Sequence, residues 1–537
     1  MPVKASKTLL ETVDLVQFFQ RSAPKNVLDR FERSRDRAMS LFGILATSET
    51  FLSDADVQRR TRMTPGAYQR AIWKLKSALL EAMLELDLKK GKYSLFSQRL
   101  KALDLANARV QILERLGAAL AADLEARKWH KEALVLEKWD VALALLGPIL
   151  NWAALSGDTK AYERWQQERR RLRTLQQAFE EAEEANERVT IVFAKSGAEH
   201  PELRPTIDKA IRRLKPVITK HASFRLRDAE LNLRKKAQQV LTRYPEALEI
   251  CDETSALLDQ YPVFDNPARR SRNALTRLLC EVLLRQYHEA SATLQTASKY
   301  FDIGTQNWYT FEEWHFMLLL HSRQDEAAYQ LVTEIMSGPR FRVQSLTTQE
   351  RWRLFLMYAE FFTGRVVPSK NLIRIIPSFS KDYAGYRASV VILEILLLLQ
   401  LDDKSALIER IELLKTYKTR HLRKTAPTRL FINMCQLMVR YDFEKTRIAP
   451  LAERYLSAIV ESDEGDPIVE AQVQHYDQLW GHFMAALPDE GKLFCGRGED
   501  EKSGRSKPSR ISKTVPERVR MPKNYSKKSV PVLDFDL

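Results

Sequence analysis

"LLRQYHEASATL", residues 283–294, joins two apolar helical stretches through a short polar turn. The same seam returns at "LTRYPEALEIC" (241–251) and at "HSRQDEAAYQL" (321–331). Two antiparallel helices need a brief connection that reaches water, hence Arg, Gln, His, Asp and Pro. Where the helices then cross closely a small side chain is needed, and Ala247, Ala290, Ala327 and Ala406 stand there.

From 225 to 490 the chain repeats this unit, with turns opening near Arg243, Arg285, His321, Thr363, Asp402 and Tyr441 at a period near forty. The leading helices, such as "SRNALTRLLCEVLL" and "RWRLFLMYAEFF", are too apolar to stand alone in water. Stacking one hairpin on the next buries them, which is the logic of a solenoid. The unit resembles tetratricopeptide-type repeats. With Ala327 as the small residue opening a second helix, Pro339 falls where that family ends a repeat, and Ala290 is followed by Ala297 at the family's spacing. The period near forty departs from the family's thirty-four, and the Leu-Gly pair of its first helix is absent. The resemblance implies a groove that binds a protein or peptide ligand.

Composition agrees. A chain of 537 residues exceeds what one core usually serves. Seventeen Gly and 21 Pro are too few for the turns of an all-β sandwich, and long Leu-, Ala-, Glu- and Lys-rich stretches favour helix. The expected fold class is all-α: a tetratricopeptide-like (TPR-like) helical-hairpin solenoid with a helical N-terminal module and a disordered C-terminal tail. Four scattered cysteines argue for a reduced compartment and against a disulfide framework or zinc cluster. The longest apolar run, "ASVVILEILLLLQL" (388–401), contains Glu394 and is too short to span a bilayer, so no membrane association is expected. The start, "MPVKASKTLLETVDLVQFF", lacks the pattern of a signal peptide. The address expected is the cytoplasm.

Residues 99–224 read as long helices with a coiled-coil-like arm. Trp165, Leu172, Leu175, Phe179 and Ala182 form one stripe at three- and four-residue steps. Arginines 169–171 and 173 precede glutamates 180, 181, 183 and 184. That order opposes the helix macrodipole, so a tertiary partner is expected to compensate, with the helix near 205–215 packing back.

The module 1–98 contains a helix-turn-helix-like segment at 53–84. Ser53 with Asp56 makes a capping-box start, and Thr64-Pro65 an N-cap followed by an N1 proline. Its second helix presents Tyr68, Gln69, Arg70 and Lys74 as candidate nucleic-acid contacts. Ile72, Trp73, Leu75, Leu79 and Leu80 are equally what any docked amphipathic helix shows. A second basic patch, Lys415, Tyr417, Lys418, Arg420, Arg423 and Lys424, suits RNA, an acidic peptide or a solvated inter-repeat loop.

Nine of the fifteen net positive charges lie between residues 502 and 528. The segment 491–537 has the Ser-, Pro-, Lys- and Arg-rich composition of disorder. It ends in "VPVLDFDL", where Val532, Leu533, Phe535 and Leu537 make a candidate docking motif. No phosphate-cradling glycine loop, HExxH or GxSxG occurs. The histidines do not cluster, although His475 and His482 are spaced to share a helix face. No catalytic, metal or cofactor site is expected. The function expected is a non-catalytic protein-binding scaffold or adaptor. The alternative is a nucleic-acid-binding regulator using the N-terminal segment and the basic tail.

Overall fold

The computed structural model describes residues 6–487, except 24, 35, 48–52, 87, 89–92, 196–202, 242, 339, 342–343, 366–383, 402, 422–426 and 461–472. All regular structure among the described residues is helical, and no strand occurs there. The expectation of an all-α chain of consecutively packed helices therefore holds. The tail 491–537, with Val532, Leu533, Phe535 and Leu537, lies outside the described residues.

Five helices form the N-terminal module: α1 (Lys7–Ser22), α2 (Lys25–Glu32), α3 (Arg37–Ala46), α4 (Asp54–Thr61) and α5 (Pro65–Glu85). Their apolar faces close a core of their own around Phe19, Phe31, Phe42, Ile72 and Leu79. The local signals work as read. Ser53 Oγ accepts from the Asp56 N–H while the Asp56 carboxylate accepts from the Ser53 N–H, and Thr64 caps α5 with Pro65 at its first position.

Then follow α6 (Leu95–Arg115), α7 (Ala119–Val135), α8 (Trp139–Leu155), α9 (Thr159–Lys195), α10 (Leu203–Lys220), α11 (Phe224–Val240) and α12 (Tyr244–Gln260). After them come α13 (Pro267–Leu283), α14 (Tyr287–Ala297), α15 (Gln306–His321), α16 (Asp325–Ser337) and α17 (Leu346–Phe362). The last are α18 (Ala384–Leu401), α19 (Lys404–His421), α20 (Pro427–Arg440), α21 (Lys445–Val460) and α22 (Tyr476–Ala486). From α6 onward each helix packs on its successor. Two large cores line this array, one within α6–α11 and one running from Leu278 to Leu487.

The recurring seam has one backbone geometry. Gly117, Glu137, Gly157, Arg285, Arg323 and Gly364 all have positive φ, between 50° and 76°. At Arg285 the N–H donates to Val282 O at 3.1 Å and the next N–H, of Gln286, reaches back to Glu281 O at 2.8 Å. The same pair of bonds recurs at each of the other five turns. This is the Schellman closure, which satisfies carbonyls that a helix end leaves without partners and turns the chain in very few residues. Five residues past the left-handed residue, Ala122, Ala142, Ala290 and Ala328 are fully buried. Ala247 is also fully buried, in the same register after the Arg243 N–H bonds Gln238 O. Two readings need correction here: Ala328, not Ala327, sits at the crossing, and Ala406 gives way to the fully buried Leu407; Ala327 and Ala406 are only half-buried.

The stripe on α9 faces inward, with Trp165 and Phe179 half-buried at its margin. Leu172, Leu175 and Ala182 are covered by α8, α10 and α11. The glutamate block finds its tertiary partner in Arg213 of α10, which donates to Glu181 at 2.8 Å.

A longer-range contact ties this part together. Glu137, itself the left-handed residue of the α7–α8 turn, projects its carboxylate onto the start of α11. It accepts from Ser223 Oγ at 2.8 Å, Phe224 N at 2.9 Å and Arg225 N at 2.8 Å. Arg225 returns a bond to Glu137 O at 2.7 Å, and its guanidinium lies 3.9 Å from the Phe179 ring centroid. A carboxylate at a helix N-terminus meets unpaired N–H groups and the positive end of the dipole together.

Candidate functional site

Two surfaces stand out: a wall of hairpin turns that the chain itself occupies, and an apolar face that nothing among the described residues covers.

The wall is formed by the seams at 285 and 323, the end of α17 and the start of α20. Residues 473–487 lie on it. Arg285 donates to both carboxylate oxygens of Asp477, at 3.0 and 2.7 Å. Gln478 Nε2 donates to His321 O at 2.9 Å, one of the carbonyls that the end of α15 leaves unpaired along its own axis. Arg323 Nη1 donates to His482 Nε2 at 2.9 Å, and the His482 ring lies 4.7 Å from Phe362. The His321 and His475 ring centroids are 4.0 Å apart. Tyr476 stacks on Phe431 at 4.6 Å and exchanges a hydroxyl bond with Thr428 at 2.8 Å. Val473, Tyr476, Leu479, Trp480, Phe483 and Leu487 are all buried there.

Burial of this kind is worth about 1.5–3 kcal/mol for each large apolar side chain. The segment is thus a core element of this half of the array. The same burial holds His482 down to about 4 and His475 below the ordinary imidazole range; the charge of Arg323 adds to the first, and His321 and Arg285 to the second.

The uncovered face is on the first hairpin of the array. Leu105 and Ile112 on α6 and Leu116 just past its end, at steps of seven and four, and Leu120 and Leu124 on α7 are 41–77% exposed. Leu116 and Leu120 flank the turn at Gly117. Arg109, Arg115 and Lys128 stand exposed within helical reach of these leucines, with Asp104 and Glu114 beside them. A solenoid normally ends in a repeat with a polar outer face. Here the preceding module meets α6 through Lys101, whose Nζ donates to Met83 O at 3.1 Å and to Leu86 O. A second exposed stripe, Trp73, Leu80 and Leu84, runs along α5.

The residues singled out from sequence fall differently. Tyr68 is buried, and its hydroxyl donates to Asp54 Oδ1 at 2.8 Å, so it does not share the open face with Gln69 and Arg70. The apolar surroundings and the Asp54 carboxylate both push its ionisation upward. Gln69 and Arg70 are exposed, and Lys74 is paired with Asp36. Arg60, Arg62 and Arg70 make no ion pair among the described residues. In the second patch, Lys415 bonds Glu412 at 2.9 and 3.1 Å. The side chains of Tyr417, Lys418 and Arg420, and the whole of Arg423 and Lys424, lie outside the described residues. Asp403 Oδ1 accepts from the Ala406 N–H at 3.2 Å, a helix-capping bond.

Among the described residues no three His, Cys, Asp or Glu side chains are placed to hold a metal ion, and no helix is long and apolar enough to cross a membrane. Cys251, Cys280 and Cys435 are buried and free. Sequence reasoning missed the occupied wall, because nothing local in "QHYDQLWGHFMAAL" (474–487) says which surface it will cover. It also missed the open hairpin, whose signal was present: Gly117 and Gly157 mark seams forty residues apart, with Glu137 midway.

Comparison with known proteins brings no relative: no family model matches the chain, and no match is found among curated proteins or solved structures.

Proposed function

We propose that the protein is a non-catalytic scaffold of the tetratricopeptide type that binds protein partners through its helical array, in the cytoplasm. The reading rests on one observation: the row Leu105, Ile112, Leu116, Leu120 and Leu124, exposed on the hairpin that opens the array. Five open apolar side chains on one hairpin, with charged residues beside them, are the composition of a protein-contact surface. The turns at Arg285 and Arg323 are covered by residues 473–487, so a partner meets the array at its first hairpin. The test is a comparative pulldown of wild type and Leu116→Asp/Leu120→Asp, with and without nuclease, read by mass spectrometry. Partners that survive nuclease and are lost on substitution support the scaffold. A partner set unchanged by the substitution, or one lost entirely to nuclease, rejects it.

A second reading is favoured by the cluster Arg60, Arg62, Gln69 and Arg70 around the turn before α5. Four polar side chains, three of them unpaired cations, suit a phosphate backbone. Under this reading Arg70→Glu lowers nucleic-acid affinity, and the loss shrinks as salt rises. A salt titration of DNA and RNA binding decides it: the scaffold predicts no appreciable binding at physiological salt once residues 502–528 are removed.

A further inference from the structure

The open face of the first hairpin and the acidic-apolar segment 530–537 are complementary in both character and charge. In "VPVLDFDL" the large apolar residues Leu533, Phe535 and Leu537 alternate with Asp534 and Asp536. On the α6–α7 hairpin five large apolar side chains are flanked by the exposed cations Arg109, Arg115 and Lys128, which outnumber the exposed acids Asp104 and Glu114 by three to two. An extended segment of such alternation places its apolar side chains on one side and its carboxylates on the other. Seated along the leucine row, it buries the first set and directs the second toward the basic margin. The 42 residues 488–529 that join Leu487 to this segment reach up to about 140 Å when fully extended.

We propose that residues 530–537 dock in cis on the α6–α7 face, covering the end of the array and competing there with partners of the same acidic-apolar chemistry. The proposal rests on the scaffold reading and names the regulation of its contact surface. Its occupant is the chain's own segment. A second copy bringing the same segment in trans is an outcome the experiment separates.

The test uses full-length protein and a fluorescein-labelled synthetic peptide of residues 528–537, followed by anisotropy. Three proteins are compared: wild type, Leu533→Asp/Phe535→Asp, and the latter with Leu116→Asp added. The peptide should bind the second with micromolar affinity. It should bind wild type at least tenfold more weakly, because a tethered competitor acts at an effective concentration near millimolar. Adding Leu116→Asp should abolish binding while helicity and melting temperature stay unchanged. A peptide carrying Asp534→Lys/Asp536→Lys should bind at least tenfold more weakly at low salt, and the deficit should narrow as salt rises.

Three binding results overturn the proposal: no binding to the Leu533→Asp/Phe535→Asp protein, equal binding to it and wild type, or binding that persists with Leu116→Asp. Sedimentation of wild type should give a monomer. A dimer lost in Leu533→Asp/Phe535→Asp would transfer the contact to a second copy and overturn docking in cis. The scaffold reading fails separately, in the pulldown, if no partner depends on Leu116 and Leu120.

Discussion

Arg285 and Asp477 meet across 192 residues of chain, the guanidinium holding both carboxylate oxygens at once. Arg285 is also the left-handed residue of its seam, a position where glycine carries no steric penalty. An arginine here serves the closing helix as well as the turn. A double-mutant cycle of Arg285→Ala and Asp477→Ala, read from denaturant midpoints, should give a coupling of about 0.5–1 kcal/mol, since the pair is partly open to water. A coupling of zero would mean that the helix is held by its apolar side alone.

Acid should loosen the same contact. In the unfolded chain an imidazole protonates near 6.5, whereas folded His482 is held to about 4. His475 is held down in the same direction. Between those pH values the unfolded chain binds more protons, so stability rises with pH and is lost as pH falls through the window. Thermal melts from pH 7.5 to 4.5 should decline, and His482→Phe, facing Phe362, should flatten part of the slope. A wild-type profile level down to pH 5 would contradict this.

Overpacking distinguishes two adjacent alanines. Ala290→Trp and Ala328→Trp enlarge fully buried crossings and should each cost about 1–3 kcal/mol or more. Ala327→Trp, half-exposed one residue away, should cost markedly less. Equal losses at Ala327 and Ala328 would place the crossing elsewhere.

Glu137 offers a test of the long-range cap. Glu137→Ala leaves the N–H groups of Phe224 and Arg225 without this acceptor and should cost about 1–2 kcal/mol. Glu137→Gly should also destabilise despite relieving the positive φ, because the lost bonds outweigh a backbone gain of about 1 kcal/mol. A more stable Glu137→Gly protein would show the cap to be incidental.

The legible features were those written in a few neighbouring residues. The seams, the helix caps at Ser53 and Thr64 and the stripe on α9 are all local patterns of period, polarity and capping. The slip from Ala328 to Ala327 came from aligning on composition rather than on the left-handed residue, which Arg285 and Arg323 do not advertise as a glycine would. Tyr68 was misplaced because adjacent helical positions point about 100° apart, and only the packing of α5 on α1 and α3 decides which of them faces inward. Glu137 on α11, and residues 473–487 on the seams, join positions about ninety to two hundred apart. No spacing in the chain encodes either meeting.

The position of α22 sets a schedule for the protein's birth. Hairpins that contact only their neighbours fold as they emerge, but the wall around Arg285 has no cover until residue 477 has been made. At about 5–20 residues per second of synthesis, that is an interval of roughly 10–40 s for the seam at Arg285, about 6–24 s for Phe362 and about 2–9 s for Phe431. Each newly made molecule therefore passes through an open-walled stage before the chain's own helix arrives.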